Sequence, residues 1–350
     1  MNFAASLRRA VAPTALALAT LLASCAPAPP PMVAPPPPPP PAISLSPRVI
    51  EQASAYRAYV ARATAISPVF ADGESVAQGL KTGESYEPGQ LLRGAIAYGA
   101  VVALQDPEYV AGVRKFAGDA EQRRTIAYEV MKDPAYAVGF SGSSGAAGLV
   151  VAALAGDGRK LLEVGKTVKQ AAYDVQRSPW SKADVAGREG RLALAKQLSS
   201  TALMGDTSET ARLQLAVTGS ASLGLTGETA SPPYTPLVIR SLAVAALAAL
   251  GYADENSAAQ VTPMLEDQRG TKCFGLSKLN LYQCLAVSKP HYEDVFCLGQ
   301  HVLMDTGACL MQGAGVSSPL DIKPLPLPIA SSAAVPVKAA AKPKAKAKKK

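Results

Sequence analysis

The sequence predicts an all-α protein: an irregular multi-helix bundle or helical array that ends in a disulfide-stapled helical hairpin. Three observations indicate this fold class. Apolar residues make up 48% of the 350 positions, which is enough for a sizeable core and excludes a wholly disordered chain. Between residues 44 and 316 apolar side chains recur every three or four positions, with no sustained alternation typical of strands. Several stretches begin with a capping residue and a proline, as at Asp106-Pro107, Asp133-Pro134 and Ser178-Pro179.

Residues 1–24 have the organisation of an export signal. Arg8 and Arg9 supply positive charge, and the stretch from Ala10 to Leu22 is uncharged and mostly apolar. A run of that length is too short to span a bilayer, which takes about 20 residues. We therefore expect residues 1–24 to be a signal peptide.

The apolar run ends in Leu22-Ala23-Ser24-Cys25, which resembles the lipobox of bacterial lipoproteins. The resemblance implies that Cys25 is diacylated on its thiol, that the chain is cleaved before it, and that the new amino group is acylated. Several acyl chains together anchor a protein stably in a membrane, and Cys25 is thus the expected lipidation site. Because Ala26 is not an acidic retention signal, the resemblance favours the outer over the inner membrane. A plain signal peptide with a chance cysteine and an unprocessed N-terminus are the alternatives.

Residues 25–43 are predicted to be a proline-rich linker. They include the unbroken run Pro35–Pro41. Proline lacks an N–H group and fixes φ, so this segment is expected to form an extended spacer that rises ~3.1 Å per residue. Such a spacer would hold the body of the protein away from the lipid. A ligand for a proline-recognising domain is the alternative.

Residues 44–270 are predicted to be a helical domain. The first helix starts at the Ser46-Pro47 cap and stops at Pro68. Further helical stretches are predicted over residues 90–104, 107–117, 119–132, 160–177, 181–203, 207–224, 236–251 and 257–268.

One segment of this domain, from Pro134 to Gly156, contains no charged residue. Small residues recur in it at a spacing of three, at Gly139, Gly142, Gly145 and Gly148. Because small residues let helices approach closely, we expect a tightly packed internal helix here. A hairpin inserted in the membrane is the alternative.

Residues 271–316 are predicted to be a cysteine-rich helical hairpin, with helices over 276–287 and 292–306. Four cysteines remain once Cys25 is lipidated, and an even number in an exported chain argues for two disulfides: Cys273, Cys284, Cys297 and Cys309. Pairing of cysteines that follow each other in the sequence is disfavoured. Eleven residues of helix would separate Cys273 from Cys284 by roughly 16 Å, which is too far for a disulfide. The nested pairs, 284 with 297 and 273 with 309, have residue numbers that add to 581 and 582 and so fit one antiparallel register.

The spacing between Cys297 and Cys309 complicates the nested pairing. It turns the second cysteine off the face of the first by about 120° on a regular helix. We expect Gly307 to end the helix and correct this.

Both histidines of the chain, His291 and His301, lie in the same hairpin. A zinc site with Cys284 and Cys297 is the alternative to a disulfide, although the intervals match no compact zinc pattern. A catalytic Cys–His pair would need a free thiol of low pKa, which the even number of cysteines argues against. We therefore predict no metal site, no catalytic residue and no cofactor. The adjacent carboxylates Glu293 and Asp294 are expected to be solvated.

Residues 317–350 are predicted to be a disordered tail rich in proline, alanine and lysine. Seven lysines are concentrated at its end: Lys338, Lys342, Lys344, Lys346, Lys348, Lys349 and Lys350. Without these lysines and the two arginines of the export signal, positive and negative residues almost balance, so the formal charge of +8 belongs to the ends of the chain. The tail should attract envelope anions such as peptidoglycan or lipopolysaccharide, and we expect no nucleic acid partner. A tail that only aids solubility is the alternative.

The leading hypothesis from the sequence is a non-enzymatic envelope lipoprotein that acts as a structural, assembly or binding partner of other envelope proteins. A hydrolase with unidentified carboxylates and a carrier of a small ligand are the alternatives. Buried carboxylates clustered in a cleft would favour the hydrolase, and a dry apolar cavity the carrier. An exposed patch without a cleft would favour the partner protein.

Overall fold

The structure, a computed structural model, describes residues 39–320. In that range the chain forms fourteen α-helices and no strand beyond a single isolated bridge between Asp184 and Pro290, which confirms the predicted fold class. The helices are α1 Pro47–Thr64, α2 Gly73–Glu84, α3 Pro88–Ala103, α4 Pro107–Arg114, α5 Ala120–Lys132, α6 Ser143–Asp174, α7 Pro179–Lys182, α8 Arg188–Leu198, α9 Thr207–Val217, α10 Pro236–Leu250, α11 Ala258–Val261, α12 Gln268–Val287, α13 His291–Cys297 and α14 Asp305–Gly313. The predicted signal peptide, Cys25, most of the proline-rich linker and the seven tail lysines lie outside the described residues.

Local capping explains where several helices begin. Ser46 and Asp106 each accept a hydrogen bond from a backbone N–H in the first turn of α1 and α4, and Thr235 does the same for α10. Each of these caps is followed by a proline. Its missing N–H does not weaken the helix, because an N–H at the first helical position has no partner within the helix. Two of the predicted starts differ: Asp133-Pro134 starts a 3₁₀-helix over Pro134–Gly139, and Ser178 before Pro179 makes no capping hydrogen bond through its side chain.

Helix α2 has no counterpart among the predicted helices. Its start carries a capping box between Asp72 and Ser75, but apolar residues are sparse along it. Close packing at glycine replaces apolar side chains in this helix. A Cβ on Gly79 would lie 2.8 Å from Leu298, so α2 lies close to the second arm of the hairpin, residues 291–313. Two other predicted helices are broken up, since 181–203 becomes α7 and α8, and 257–268 becomes short α and 3₁₀ turns.

The core is centred on α3 and α10. Helix α10 is buried along nearly its whole length and packs on α3, which also packs on α1 and α6. One large cluster of buried apolar side chains runs from Leu45 to Ala314 and includes both arms of the hairpin. The cysteine-rich hairpin therefore shares one core with the preceding helices.

The uncharged glycine-rich segment is divided between the 3₁₀-helix and the first half of α6. Gly142, with φ of 82°, makes the turn between them. Gly145 packs against Asp106 at the start of α4, and Gly148 packs against the carbonyl of Glu228 in an extended segment. The close packing that we expected is present, but its partners are a helix cap and an extended segment instead of a second helix. No helix in residues 39–320 is long and apolar enough to cross a membrane.

The second half of α6 crosses the second arm of the hairpin, glycine against glycine. A Cβ on Gly158 would lie 2.6 Å from the carbonyl oxygen of Gly307, and one on Gly165 would lie 2.9 Å from that of Gly299. The backbones of α6 and of the second hairpin arm, which run antiparallel, therefore contact each other at two points. This contact holds the hairpin against the rest of the helices.

Candidate functional site

The four cysteines of the hairpin form two disulfides. Cys273 is bonded to Cys309 and Cys284 to Cys297, with Cα–Cα distances of 5.7 and 5.8 Å. These are the nested pairs that the residue numbers favoured. The bonds join α12 to the arm formed by residues 291–313.

This second arm contains a π-helical segment, Leu298–Met304, between α13 and α14. A π-helix bonds residue i to i+5 and so turns less per residue than an α-helix. The looser winding turns Cys309 back toward the face of Cys297. Our expectation that Gly307 ends the helix was wrong, because the helix continues to Gly313.

Neither histidine shares a site with a free thiolate, because Cys284 and Cys297 are bonded to each other. The Nδ1 atom of His301 lies 2.9 Å from an oxygen of Asp305, and the His291 ring packs against Gly73 and near Trp180. Within residues 39–320, no group of three or more His, Cys, Asp or Glu residues is arranged to hold a metal ion.

Ser277, His301 and Asp305 are close together, but they are not arranged as a nucleophilic triad. The hydroxyl of Ser277 donates to the main-chain carbonyl of His301, at 2.7 Å, and lies 3.3 Å from the hydroxyl of Thr306. Ser277 is also fully buried, so no substrate reaches it. The hydroxyl of Ser277 thus satisfies a backbone carbonyl of the π-helical segment, and the side chains of His301 and Asp305 pair with each other.

The strongest candidate site is a cleft of about 430 Å³ between α2, α8, α12 and α13, here called the Glu84 cleft. Its lining combines charged and apolar side chains: Glu74, Glu84, Asp184, Arg191, His291 and Asp294 with Ala77, Leu80, Val185, Leu194 and Leu285. Glu84 and Asp294 are buried, whereas Glu74 and Asp184 are exposed at the rim. The cleft therefore has a polar floor, apolar walls and an acidic rim.

One wall of the cleft is built by the start of α8 and the loop before it. Arg188 donates to the carbonyls of Ala286 and Ser288, and Arg191 donates to that of Leu285, all at the end of α12. Positive side chains at a helix C-terminus satisfy its last carbonyls and its dipole. The guanidinium groups thus fix this wall in place.

Asp294 is buried, so our expectation that it is solvated was wrong. It is 2% exposed, and its Oδ1 accepts hydrogen bonds from Arg191 and from the hydroxyl of Ser288. Burial raises the pKa of the Asp294 carboxyl, although Arg191 and Ser288 oppose the shift. The neighbouring Glu293 is half-buried and accepts from the backbone of Lys289.

Glu84, the last residue of α2, forms part of the floor of the cleft. It is 3% exposed, and its Oε2 atom has no hydrogen-bond partner among residues 39–320. Burial raises the pKa of the Glu84 carboxyl to about 7, while the charge of Lys278 opposes the shift and that of Asp294 adds to it. The Nε atom of Arg191 is likewise buried without an acceptor in that range.

Lys278 of α12 lies behind Glu84, almost wholly buried. Its ammonium donates to the main-chain carbonyl of Glu84 and lies 3.5 Å from the centre of the Tyr86 ring. Burial lowers the pKa of Lys278 to about 7, although the charge of Glu84 opposes the shift. The floor of the cleft therefore brings together two basic groups, on Lys278 and Arg191, and two acidic groups, on Glu84 and Asp294.

Sequence reasoning missed both Glu84 and Lys278. For Lys278 a signal was present, because it interrupts a buried stripe of α12 that contains Phe274, Leu281 and Leu285. For Glu84 no local signal exists, since α2 itself was not predicted.

A second, apolar groove of about 410 Å³ lies beside Cys284 and is lined by Tyr173, Tyr292 and Phe296. Val287 at its edge is 75% exposed.

Known proteins offer no further guide to the site. No protein-family model, no curated protein and no solved structure matches this chain.

Proposed function

We propose that the chain is a lipid-anchored protein of the cell envelope, attached through Cys25, with the outer membrane favoured over the inner by its Ala26 residue. Its helical body acts as a structural, assembly or binding partner of other envelope proteins. The observation that carries this proposal is the pair of disulfides that staple the hairpin. Disulfides persist in oxidising compartments outside the cytoplasm, which agrees with the resemblance of residues 22–25 to a lipobox.

The lysine-rich tail is proposed to contact anionic components of the envelope, namely peptidoglycan or lipopolysaccharide. The near-neutral balance of the remaining residues supports this role for the tail, because little net charge is left elsewhere to attract anions.

The anchor is tested by labelling growing cells with a radioactive fatty acid and separating membrane from soluble protein. Two variants are compared with the wild type: Cys25→Ser, which removes the acceptor thiol, and Ser24→Ala, which keeps a small residue before the cysteine. We expect label and membrane association in the wild type and in Ser24→Ala, and loss of both in Cys25→Ser. A wild-type protein that is unlabelled and soluble would overturn the anchor.

A hydrolase is the second candidate function, and one observation favours it. Glu84 and Asp294 are buried carboxyls in one cleft, and the raised pKa of Glu84, about 7, suits an acid or a base near neutral pH. Against it, Asp294 is held by Arg191 and Ser288. Release of fragments from purified peptidoglycan by the wild type, lost in Glu84→Gln, would favour the hydrolase over the partner protein.

A further inference from the structure

The Glu84 cleft contains a buried acceptor that nothing in the described part of the chain satisfies. The Oε2 atom of Glu84 has no donor, and the nearest cation, Lys278, donates to the main-chain oxygen of Glu84. A buried polar atom without a partner destabilises the folded state and is rare, so it calls for an explanation. Glu84 lines the cleft, and the last torsion of its side chain is broad and roughly two-fold, so a rotation of this bond exchanges the positions of its two carboxyl oxygens.

The charges around the cleft favour a cation. Four carboxylates line it, on Glu74, Glu84, Asp184 and Asp294, against one guanidinium in the lining, on Arg191, and one ammonium behind Glu84, on Lys278. Arg191 is already paired with Asp294. An anion entering the cleft would meet the two exposed rim carboxylates first, whereas a cation would be attracted by them.

The walls of the cleft favour an alkyl chain over a hydrated metal ion. Leu80, Leu194 and Leu285 line the cleft; Leu80 and Leu285 are buried, whereas Leu194 is 44% exposed. An alkyl chain that covers Leu194 removes apolar surface from water, which favours binding. The volume of about 430 Å³ has room for a short alkyl chain above the floor.

We propose that the Glu84 cleft binds a primary ammonium group on the carboxyl of Glu84, with the alkyl stem of the ligand packed against Leu80, Leu194 and Leu285. Two sources share this chemistry: a small alkylamine and the side chain of a lysine in a partner protein. The Nε atom of Arg191 stays available to an oxygen beside the ammonium or to a bound water. The site goes beyond the proposed function and does not depend on the lipid anchor.

The test is calorimetric titration of the full chain with n-butylamine at pH 8, where the amine is charged and Glu84, with a pKa of about 7, is mostly ionised. The uncharged isostere 1-butanol and the anion butyrate are the control ligands. We expect butylamine to bind about tenfold or more tightly than butanol, and butyrate not to bind. Equal binding of butylamine and butanol, or no heat with butylamine, would overturn the proposal.

Variants assign the binding to Glu84. Glu84→Gln keeps the shape of the side chain and should weaken butylamine by about tenfold or more while leaving butanol unchanged. Glu255→Gln, at an exposed glutamate outside the cleft, is the matched control and should bind like the wild type. Thermal unfolding shows that each variant is folded. A folded Glu84→Gln protein with unchanged affinity for butylamine would contradict the proposal.

A second ligand distinguishes the two sources of the ammonium group. Nα-acetyl-lysinamide presents a lysine side chain as a protein does. Competition between this compound and butylamine would show that the cleft accepts a lysine side chain as a protein presents it, and binding of butylamine alone would restrict the site to small amines.

Discussion

Glu84 links the stability of this protein to pH through its burial. The folded state raises the pKa of its carboxyl from an ordinary value of 4.5 to about 7, so it holds the proton more tightly than the unfolded state does. The contribution of Glu84 to stability is therefore greatest below pH 4.5 and is lost as the pH rises through about 7. Lys278 acts in the opposite sense, because its pKa is lowered and its contribution is lost as the pH falls from 10.5 through about 7.

The variant Glu84→Gln removes the first of these two effects. Relative to the wild type, its free energy of unfolding should rise by about 1–3 kcal/mol between pH 5 and pH 8, because only the wild type must then bury an ionised Glu84. Urea unfolding at several pH values measures the difference. Glu255→Gln should show no such trend, and a Glu84→Gln curve parallel to that of the wild type would contradict the prediction.

At the scale of elements, two helices of this fold touch through their backbones. Gly158 and Gly165 of α6 face Gly307 and Gly299 of the second hairpin arm. Close approach of this kind requires glycine, which elsewhere in a helix lowers stability. Gly156 is only two positions from this contact, yet nothing lies within 4 Å of a Cβ placed on it. The two positions, 156 and 158, form a matched pair for mutation.

Gly158→Ala should lower the free energy of unfolding by about 1–3 kcal/mol, because the new methyl group meets Gly307 and Met311. Gly156→Ala should raise it by about 0.5–1 kcal/mol, since it adds helix propensity without a clash. Urea unfolding of both variants measures the two changes. Equal effects at the two positions would argue against the crossing.

The two disulfides close loops of different length, with separations of 36 residues for Cys273–Cys309 and 13 for Cys284–Cys297. On the chain-entropy account, replacing the outer pair with serines should cost about 4 kcal/mol and replacing the inner pair about 3 kcal/mol. Unfolding without reductant, monitored by circular dichroism, compares the two double variants. A larger loss from the inner pair would show that local packing outweighs loop closure.

At the scale of the whole molecule, charge and core occupy different parts of the chain. The buried cluster that begins at Leu45 and ends at Ala314 joins all the major helices. The excess positive charge lies in residues 338–350 and at Arg8 and Arg9 of the proposed export signal. Binding of polyanions should therefore be lost with the tail and leave the helical body intact.

Vesicles that contain anionic phospholipid provide the measurement, with the chain in a Cys25→Ser background so that acylation does not contribute. The full chain should co-sediment at low salt and be released as the ionic strength rises toward about 0.5 M. A chain that ends at Val337, and one of full length with the seven lysines replaced by glutamine, should not co-sediment. Binding by either control would place the anion-binding surface on the helical body.

The sequence by itself determined the fold class, the capped starts of α1 and α4, and the register of the stapled hairpin. These features depend on residues that are near each other in the chain. A helix cap depends on the residues of the first turn, an apolar stripe depends on the spacing of apolar residues, and the disulfides depend on the separation of their cysteines. Only the tertiary structure decided that α2 is a helix, that residues 298–304 wind as a π-helix, and that Glu84 and Asp294 are buried. Glu84 contacts Lys278, which is 194 residues away in the sequence, and Asp294 contacts Arg191, which is 103 residues away. Whether a carboxylate is buried depends on such contacts between distant parts of the sequence, and no local sequence pattern indicates them.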